Sequence, residues 1–202
     1  MFFKKTPDFR EDDLNSIISA CLAQNKNAQR LLIKLFFGYA KAISMRYTAN
    51  KQEAEEIVSD GFLKVFTNLG KYDHTQPFKA WLRTIIINTA IDYYRRGQKY
   101  MHQVDVDDVQ IISPDEDVIS KIAAEEILTL VQRLPPSYRM VFVLYVIEGY
   151  NHREIADLMG IKEGTSKSNL QDARKKLQVM IKNTYPQLYL AYTLKTTKLN
   201  EN

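Results

Sequence analysis

Apolar residues recur at helical spacing through nearly the whole chain, and this periodicity limits the fold more than any other feature of the sequence. Residues three and four apart share one face of an α-helix, whereas a half-buried strand alternates with a period of two. No segment alternates convincingly, so the sequence predicts an all-α protein. Helices are predicted at residues 11–24, 27–47, 51–69, 77–96, 117–133, 136–147, 152–159 and 165–183.

The predicted helices fall into two groups, separated by a segment of different character. The helical period is lost between residues 97 and 114, and residues 101–118 hold six acidic side chains with no Lys or Arg. Such a composition is typical of a hydrated linker. We therefore predict two small helical domains at 10–98 and 117–184, an acidic linker at 99–116 and a C-terminal tail at 185–202.

Cysteine usage and hydropathy exclude several classes of protein. Cys21 is the single cysteine, which rules out an internal disulfide framework, and no Cys/His cluster has metal-ligand spacing. No apolar run approaches the roughly 20 residues of a membrane span. The N-terminal sequence lacks the long apolar core of a signal peptide. The sequence thus predicts a cytoplasmic protein without a metal site.

The residues that enzymes commonly use form no recognisable catalytic pattern. A Gly-rich phosphate loop is missing, and His74, His102 and His152 lie far apart in the sequence. No pair of carboxylates has a spacing that demands catalysis. We therefore predict a binding protein with no catalytic residues, no cofactor and no small-molecule substrate.

The charge distribution is more informative than the formal net charge of +4. Residues 71–100 hold six Lys or Arg against two acids, and residues 162–182 again hold six against two. Two basic segments therefore flank the acidic one. Charge runs are most often solvated faces, so charge alone leaves both that interpretation and nucleic-acid binding open.

Residues 152–176 have the spacing of a DNA-binding helix-turn-helix. Gly160 supplies the left-handed turn position between the two helices, and Ile161 is expected to cover the core across the turn. Placing the apolar residues inward leaves a polar face that could enter a major groove. The inward residues are Ile155, Ala156, Met159, Leu170, Ala173 and Leu177. The outward residues are Thr165, Ser168, Asn169, Asp172, Lys175 and Lys176.

The second helix of this motif carries side chains suited to DNA. Ser, Asn and Gln can hydrogen-bond base edges, while the cations of this helix would mainly neutralise phosphates. These cations are Lys167, Arg174, Lys175 and Lys176. Asp172 either accepts from a cytosine amino group or pairs with a lysine at helical spacing, and we favour the pairing. A plain helical hairpin that packs on its neighbours is the structural alternative to DNA binding.

The predicted helix at 51–69 has an acidic exposed face. Its apolar stripe leaves Glu53, Glu56, Ser59, Asp60 and Lys64 outside the core. Such a face would suit a basic partner protein. However, carboxylates near a helix N-terminus also stabilise the helix dipole by about 0.3–1 kcal/mol each, and periodicity alone favours that explanation.

The segment from Lys71 to Arg96 interleaves aromatic and basic residues. Aromatic rings stack on unpaired bases while cations hold the backbone, which is how single strands are commonly bound. Core packing is the competing explanation, so we expect Trp81 to be mostly buried and Tyr72 to be available to a base. Asn88 offers both a donor and an acceptor to a base edge.

Three segments carry a family resemblance. In chain order they read AEEIVSDGFLKVFTNL, FKAWLRTIIINTAIDYYRR and YNHREIADLMGIKEGTSKSNLQDARKKLQ. Their order resembles that of the sigma factors, specifically the extracytoplasmic-function group. The resemblance covers residues 27–182, and it implies that the chain binds core RNA polymerase, directs it to promoters and promotes DNA melting.

The resemblance also implies roles for residues of the first domain. The acidic face of the predicted helix at 51–69 would bind the clamp helices of the largest polymerase subunit, which favours the partner-binding explanation for its carboxylates. This face comprises Glu53, Glu56, Ser59 and Asp60. A second set would contact the minus-ten element and read a base flipped from the non-template strand. That set comprises Tyr72, Gln76, Lys79, Arg83, Asn88, Arg95 and Arg96.

The second domain would bind the duplex minus-35 element through its recognition helix. The residues concerned are Thr165, Lys167, Ser168, Asn169, Gln171, Asp172, Arg174 and Lys175. The acidic linker would thread the basic cleft of the polymerase. Ser59 stands where the family commonly has Gln, and Asn169 and Asp172 stand where Arg is frequent, so no minus-35 sequence is carried over. Close relatives commonly have a membrane-tethered anti-sigma factor, which makes such a partner expected here.

Two other functions remain open from the sequence. A stand-alone helix-turn-helix regulator would bind an operator and use the first domain as a sensor or dimer module, but this leaves Asn88 and the aromatic segment without a role. A protein that only binds polymerase would associate with the core enzyme without selecting promoters.

Overall fold

The computed structural model describes residues 9–98 and 124–186, and these residues form helices without any β-strand. The all-α prediction is therefore confirmed. The predicted linker, the start of the predicted helix at 117–133 and nearly all of the predicted tail lie outside the described residues. The described chain separates into two compact helical units, as predicted, and the division falls within the last turns of the fourth helix.

The first unit contains four α-helices. They are α1 (Leu14–Leu22), α2 (Lys26–Ser44), α3 (Lys51–Asn68) and α4 (Phe78–Gln98), with a 3₁₀ turn at Leu69–Lys71. Asp13, Asn25 and Asn50 cap the first three helices by accepting backbone N–H groups. Because Asp13 caps α1 and Gln24 has a positive φ of 62°, α1 is shorter than predicted.

The core of the first unit forms where α2 and α3 pack against α4. The rings of Phe36 on α2 and Phe78 on α4 lie 4.8 Å apart between centroids. The side chains of Val58 on α3 and of Leu82 and Ile86 on α4 are each no more than 1% exposed to solvent. An ion pair from Lys64 Nζ on α3 to the carboxylate of Asp92 on α4, at 2.7 Å, lies at the surface of the same contact.

Gly61 allows α3 to approach α4 closely, since a methyl group in its place would overlap Cδ1 of the fully buried Ile86. We expect Gly61→Ala to lower the free energy of unfolding by about 1–2 kcal/mol, because overpacking outweighs the gain in helix propensity. Gly38→Ala on α2 is the matched control, because its new Cβ meets no atom within 4 Å. Urea denaturation of both variants measures the difference, and equal stabilisation by both would contradict the prediction.

In the second unit, the described residues 124–186 form four further α-helices. They are α5 (Ala124–Gln132), α6 (Pro136–Phe142), α7 (His152–Met159) and α8 (Glu163–Thr184). A π-helical turn at Val143–Ile147 continues α6, so the predicted helix at 136–147 is present with an irregular second half. α5, α6 and α7 all pack against α8, which forms the centre of the unit.

Local signals explain the boundaries of α7. Asn151 and Glu154 form a reciprocal capping box at its start. Gly160 ends it with a left-handed φ of 69°, which a branched residue would resist. The observed bounds of α7 match the prediction, whereas α8 begins two residues earlier than predicted. None of the described helices is long and apolar enough to cross a membrane.

Candidate nucleic-acid interface

The predicted polymerase-binding residues lie along one side of α3. Glu56 and Ser59 are exposed, while Glu53 and Asp60 are half-buried. Glu53 also has a capping role, because its carboxylate accepts a hydrogen bond from Asn50 Nδ2 at 2.9 Å and its backbone N–H donates to Asn50 Oδ1. The structure therefore gives Glu53 the helix-stabilising role favoured by periodicity, and leaves Glu56 as the exposed carboxylate of the set.

Two features of α3 were not evident from the sequence. Lys41 Nζ on α2 contacts Glu55 Oε1 at 2.8 Å, and this hydrogen bond is the main reason that the pKa of Glu55 lies below its usual range. Leu63 is 67% exposed and lies seven residues after Glu56, on the same side of the helix. The position of Leu63 outside the apolar stripe of α3 was the sequence signal that could have predicted its exposure. We call Glu53, Glu56, Ser59, Asp60 and Leu63 the α3 surface.

The aromatic residues at the start of α4 form a cluster with the preceding loop. Tyr72 lies 5.4 Å from Phe78 and 5.3 Å from Trp81 between ring centroids. Tyr72 is 9% exposed, and its hydroxyl donates to the backbone oxygen of Gln76 at 2.5 Å. The expectation that Tyr72 is available to a base is therefore wrong. Phe78 packs edge-on against the Tyr72 ring and also contacts Phe36. Trp81 contacts both Tyr72 and Phe78 and is half-buried.

The loop between the 3₁₀ turn and α4 is held in one shape by short polar contacts. Asp73 Oδ1 accepts from the backbone N–H of Thr75 at 2.9 Å and from its hydroxyl at 2.8 Å. The hydrogen bond from the Thr75 backbone N–H is the main reason that the pKa of Asp73 lies below its usual range. His74 Nδ1 lies 3.3 Å from Asn15 Oδ1, which ties the loop to α1. Gln76 is exposed at the end of this fixed loop.

The predicted minus-ten residues of α4 lie on two different faces. At about 100° per residue, Asn88 and Arg95 fall in line with Trp81 on one stripe, whereas Lys79 and Arg83 fall roughly opposite. Asn88 and Arg95 are exposed. Lys79 lies over the Tyr39 ring of α2 at 5.7 Å from its centroid. Arg96 is exposed in the last turn, where a cation also complements the helix dipole.

The helix-turn-helix geometry is present in the second unit. Every residue predicted to face inward is buried, and Ile161 is half-buried across the turn. The outward face differs in detail from the prediction. Asn169, Asp172, Lys175 and Lys176 are half-buried, while the other predicted contacts are fully exposed. The exposed residues are Thr165, Lys167, Ser168, Gln171 and Arg174.

Two ion pairs lie on the side of α8 that was predicted to face DNA. Lys167 Nζ lies 2.7 Å from Glu163 Oε1, and this contact is the main cause that lowers the pKa of Glu163. Lys175 Nζ lies 3.9 Å from Asp172 Oδ1, so the predicted pairing of Asp172 is confirmed at a long ion-pair distance. Lys167, Gln171 and Arg174 follow one another on a single exposed stripe of α8.

Comparison with known proteins accounts for both units. The family model for sigma-70 region 2 matches residues 32–100, and that for sigma-70 region 4 matches residues 124–177. The chain belongs to the sigma-70 family. Its curated relatives include sigma factors of the extracytoplasmic-function group, and it is a member of that group of promoter-directing proteins.

Two such relatives and one solved structure illustrate the similarity. The chain is 31% identical over 144 residues to the sigma factor SigE of Mycolicibacterium smegmatis, an alignment that covers 67% of this chain and 54% of that one. It is 27% identical over 153 residues to SigW of Bacillus subtilis, covering 68% and 80%. The sigma factor RpoE in complex with the anti-sigma factor NepR from Bartonella quintana has a TM-score of 0.45 at 22% identity, over 76% and 96% of the two chains.

Proposed function

We propose that this sigma factor binds core RNA polymerase through the α3 surface, holds an unpaired minus-ten base on α4, and docks the exposed face of α8 in the minus-35 major groove. The observation that carries the proposal is the presence of two sigma-70 regions, each with a solvent-facing surface of the chemistry that its proposed partner requires. The polymerase is the catalyst, and the sigma factor itself performs no bond chemistry.

The α3 surface combines charge with one apolar side chain. Glu56 and Asp60 complement a basic partner and speed encounter, while Leu63 provides apolar area that loses water on contact. Glu55 contributes less, because Lys41 and Lys51 already neutralise it. Ser59 lies beside the acidic residues and is small enough to permit close approach of a partner helix.

The minus-ten contact centres on the stripe formed by Trp81, Asn88 and Arg95. Asn88 would bond the edge of a flipped base, Trp81 would offer part of its ring for stacking, and Arg95 would neutralise a backbone phosphate. Tyr72, being buried, acts indirectly through its hydrogen bond to Gln76, which fixes the loop beside the stripe. Lys79 and Arg83 then contact DNA from a different side of α4.

The minus-35 contact uses Lys167, Gln171 and Arg174 at its centre. Gln171 is placed for a base edge, with Lys167 and Arg174 for phosphates. The half-buried Asn169 and Asp172 contribute at the edge of the contact.

We expect Lys167→Ala to weaken minus-35 binding several-fold and to make the salt dependence shallower by about one unit of slope, because one phosphate contact is lost. Lys182→Ala is the control, since Lys182 is an exposed lysine near the far end of the same helix. Fluorescence anisotropy of the holoenzyme on duplex DNA at several salt concentrations measures both quantities. An unaltered affinity and slope would remove Lys167 from the interface.

Transcription in vitro with core polymerase on genomic fragments, followed by mapping of start sites, tests the proposal as a whole. Promoter-specific RNA synthesis supports it. Tight duplex binding with no effect on the core enzyme would instead favour a stand-alone regulator, and core binding without promoter selection would favour a protein that only binds polymerase. We further propose that the protein acts in the cytoplasm and that an anti-sigma factor controls it.

A further inference from the structure

We propose that the imidazole of His152 is a phosphate ligand of the second domain and takes up a proton when the minus-35 duplex binds. This inference rests on the proposed function, because it assumes that the exposed face of α8 meets duplex DNA. It assigns a role to a side chain that lies outside the recognition helix.

Two neighbours fix the His152 ring at the start of α7. Its Nδ1 atom lies 2.9 Å from the hydroxyl of Ser166, which is fully buried in the first turns of α8. The Tyr145 ring of the π-helical turn stacks on the imidazole at 4.6 Å between centroids, with 23° between the planes. The buried hydroxyl needs a hydrogen-bond partner, and His152 provides it. These contacts restrict both the position and the rotation of the ring.

The opposite edge of the ring is available for a ligand. His152 is only half-buried, and Nε2 has no hydrogen-bond partner among residues 9–98 and 124–186. With Nδ1 directed at Ser166, Nε2 is the atom left to donate to a phosphate oxygen. The first helix of a helix-turn-helix crosses the DNA backbone, and His152 is the first residue of that helix, α7.

The charges around the ring explain why it would gain a proton on binding. Burial lowers the pKa of His152, and the positive charges of Lys167 and Arg174 lower it further, against an opposing effect of Glu163. Tyr145 faces the ring from the π-helical turn, and the adjacent Arg153 is the other cation at the start of α7. A phosphate placed among these cations would raise the pKa of His152, because a nearby anion favours the charged imidazolium.

The sign of the expected pH dependence follows from linkage. If DNA raises the pKa of His152 above its lowered value in the free protein, the bound state carries more protons, and affinity rises as pH falls. The slope approaches one proton between the free-state and bound-state pKa values and levels off below both.

The test compares holoenzymes on a labelled duplex that carries the minus-35 element of a promoter mapped by transcription. We expect wild-type affinity to rise about tenfold from pH 8 to pH 6 beyond the rise seen with His152→Gln, which keeps a hydrogen-bonding side chain but does not titrate. Tyr145→Phe keeps the stacked ring and should match wild type. Ser166→Ala should weaken binding while retaining a pH dependence, because the ring remains but is no longer fixed.

An identical pH profile for wild type and His152→Gln would overturn the inference, provided that both proteins bind the duplex. If the wild-type holoenzyme binds no promoter duplex at any pH, the proposed function itself fails. Thermal unfolding of each variant in the absence of DNA separates a folding defect from a lost contact. A downfield shift of the His152 ring protons in NMR spectra of the full chain on addition of the duplex near neutral pH gives an independent measure of proton uptake.

Discussion

We expect open-complex formation to fall by about 10- to 100-fold when Asn88 is replaced by alanine, while binding to core polymerase stays nearly unchanged. The size of the effect follows from the loss of a two-point contact to a base edge, which is worth about 1–3 kcal/mol. Asn88 is exposed on α4, so its removal leaves the packing of Leu82 and Ile86 intact. Permanganate footprinting of the melted strand measures the open complex, and anisotropy with labelled sigma factor measures polymerase binding.

Thr84→Ala provides the matched control for Asn88. Thr84 lies one turn earlier on the same side of α4, is equally exposed, and its hydroxyl already bonds the backbone oxygen of Ala80 at 3.2 Å. We expect this variant to melt promoters at close to the wild-type level. Normal melting by Asn88→Ala on a promoter that the wild type opens would refute the assigned role.

Glu56→Lys should weaken binding to core polymerase by about 10- to 100-fold, because a lysine facing a basic partner replaces attraction with repulsion that can cost several kcal/mol. Glu56 is an exposed residue in the middle of α3, so the change is not expected to disturb the fold. Titration of labelled protein with core enzyme measures the dissociation constant. The loss should be larger at low salt, where screening is weaker.

Glu11→Lys makes the same charge change at an exposed position just before α1, and it controls for the effect of net charge. If the two variants lose affinity equally, the loss reflects a long-range effect of net charge and not a specific contact. The proposal that the α3 surface binds core polymerase would then lose its support. If neither variant loses affinity, α3 does not bind the polymerase.

Local sequence signals were sufficient for much of the fold. The apolar periodicity predicted the helices, and most of their observed ends lie within a few residues of the predicted ones. The reason is that side chains three and four residues apart share one face of a helix, so their spacing shows which face is buried. Asn151, Glu154 and Gly160 defined α7 through hydrogen bonds and backbone angles within the segment itself. The helix-turn-helix could be predicted for the same reason.

The sequence alone thus determined the helices and the two-domain organisation. Only the tertiary structure decided that Tyr72 is buried while Trp81 is half-buried. It also decided that Lys41 neutralises Glu55 and that Ser166 fixes the ring of His152. Each of these outcomes depends on residues that are distant in sequence or belong to different helices. Periodicity states which side of a helix is buried, but not which side chain of a neighbouring helix will meet it there.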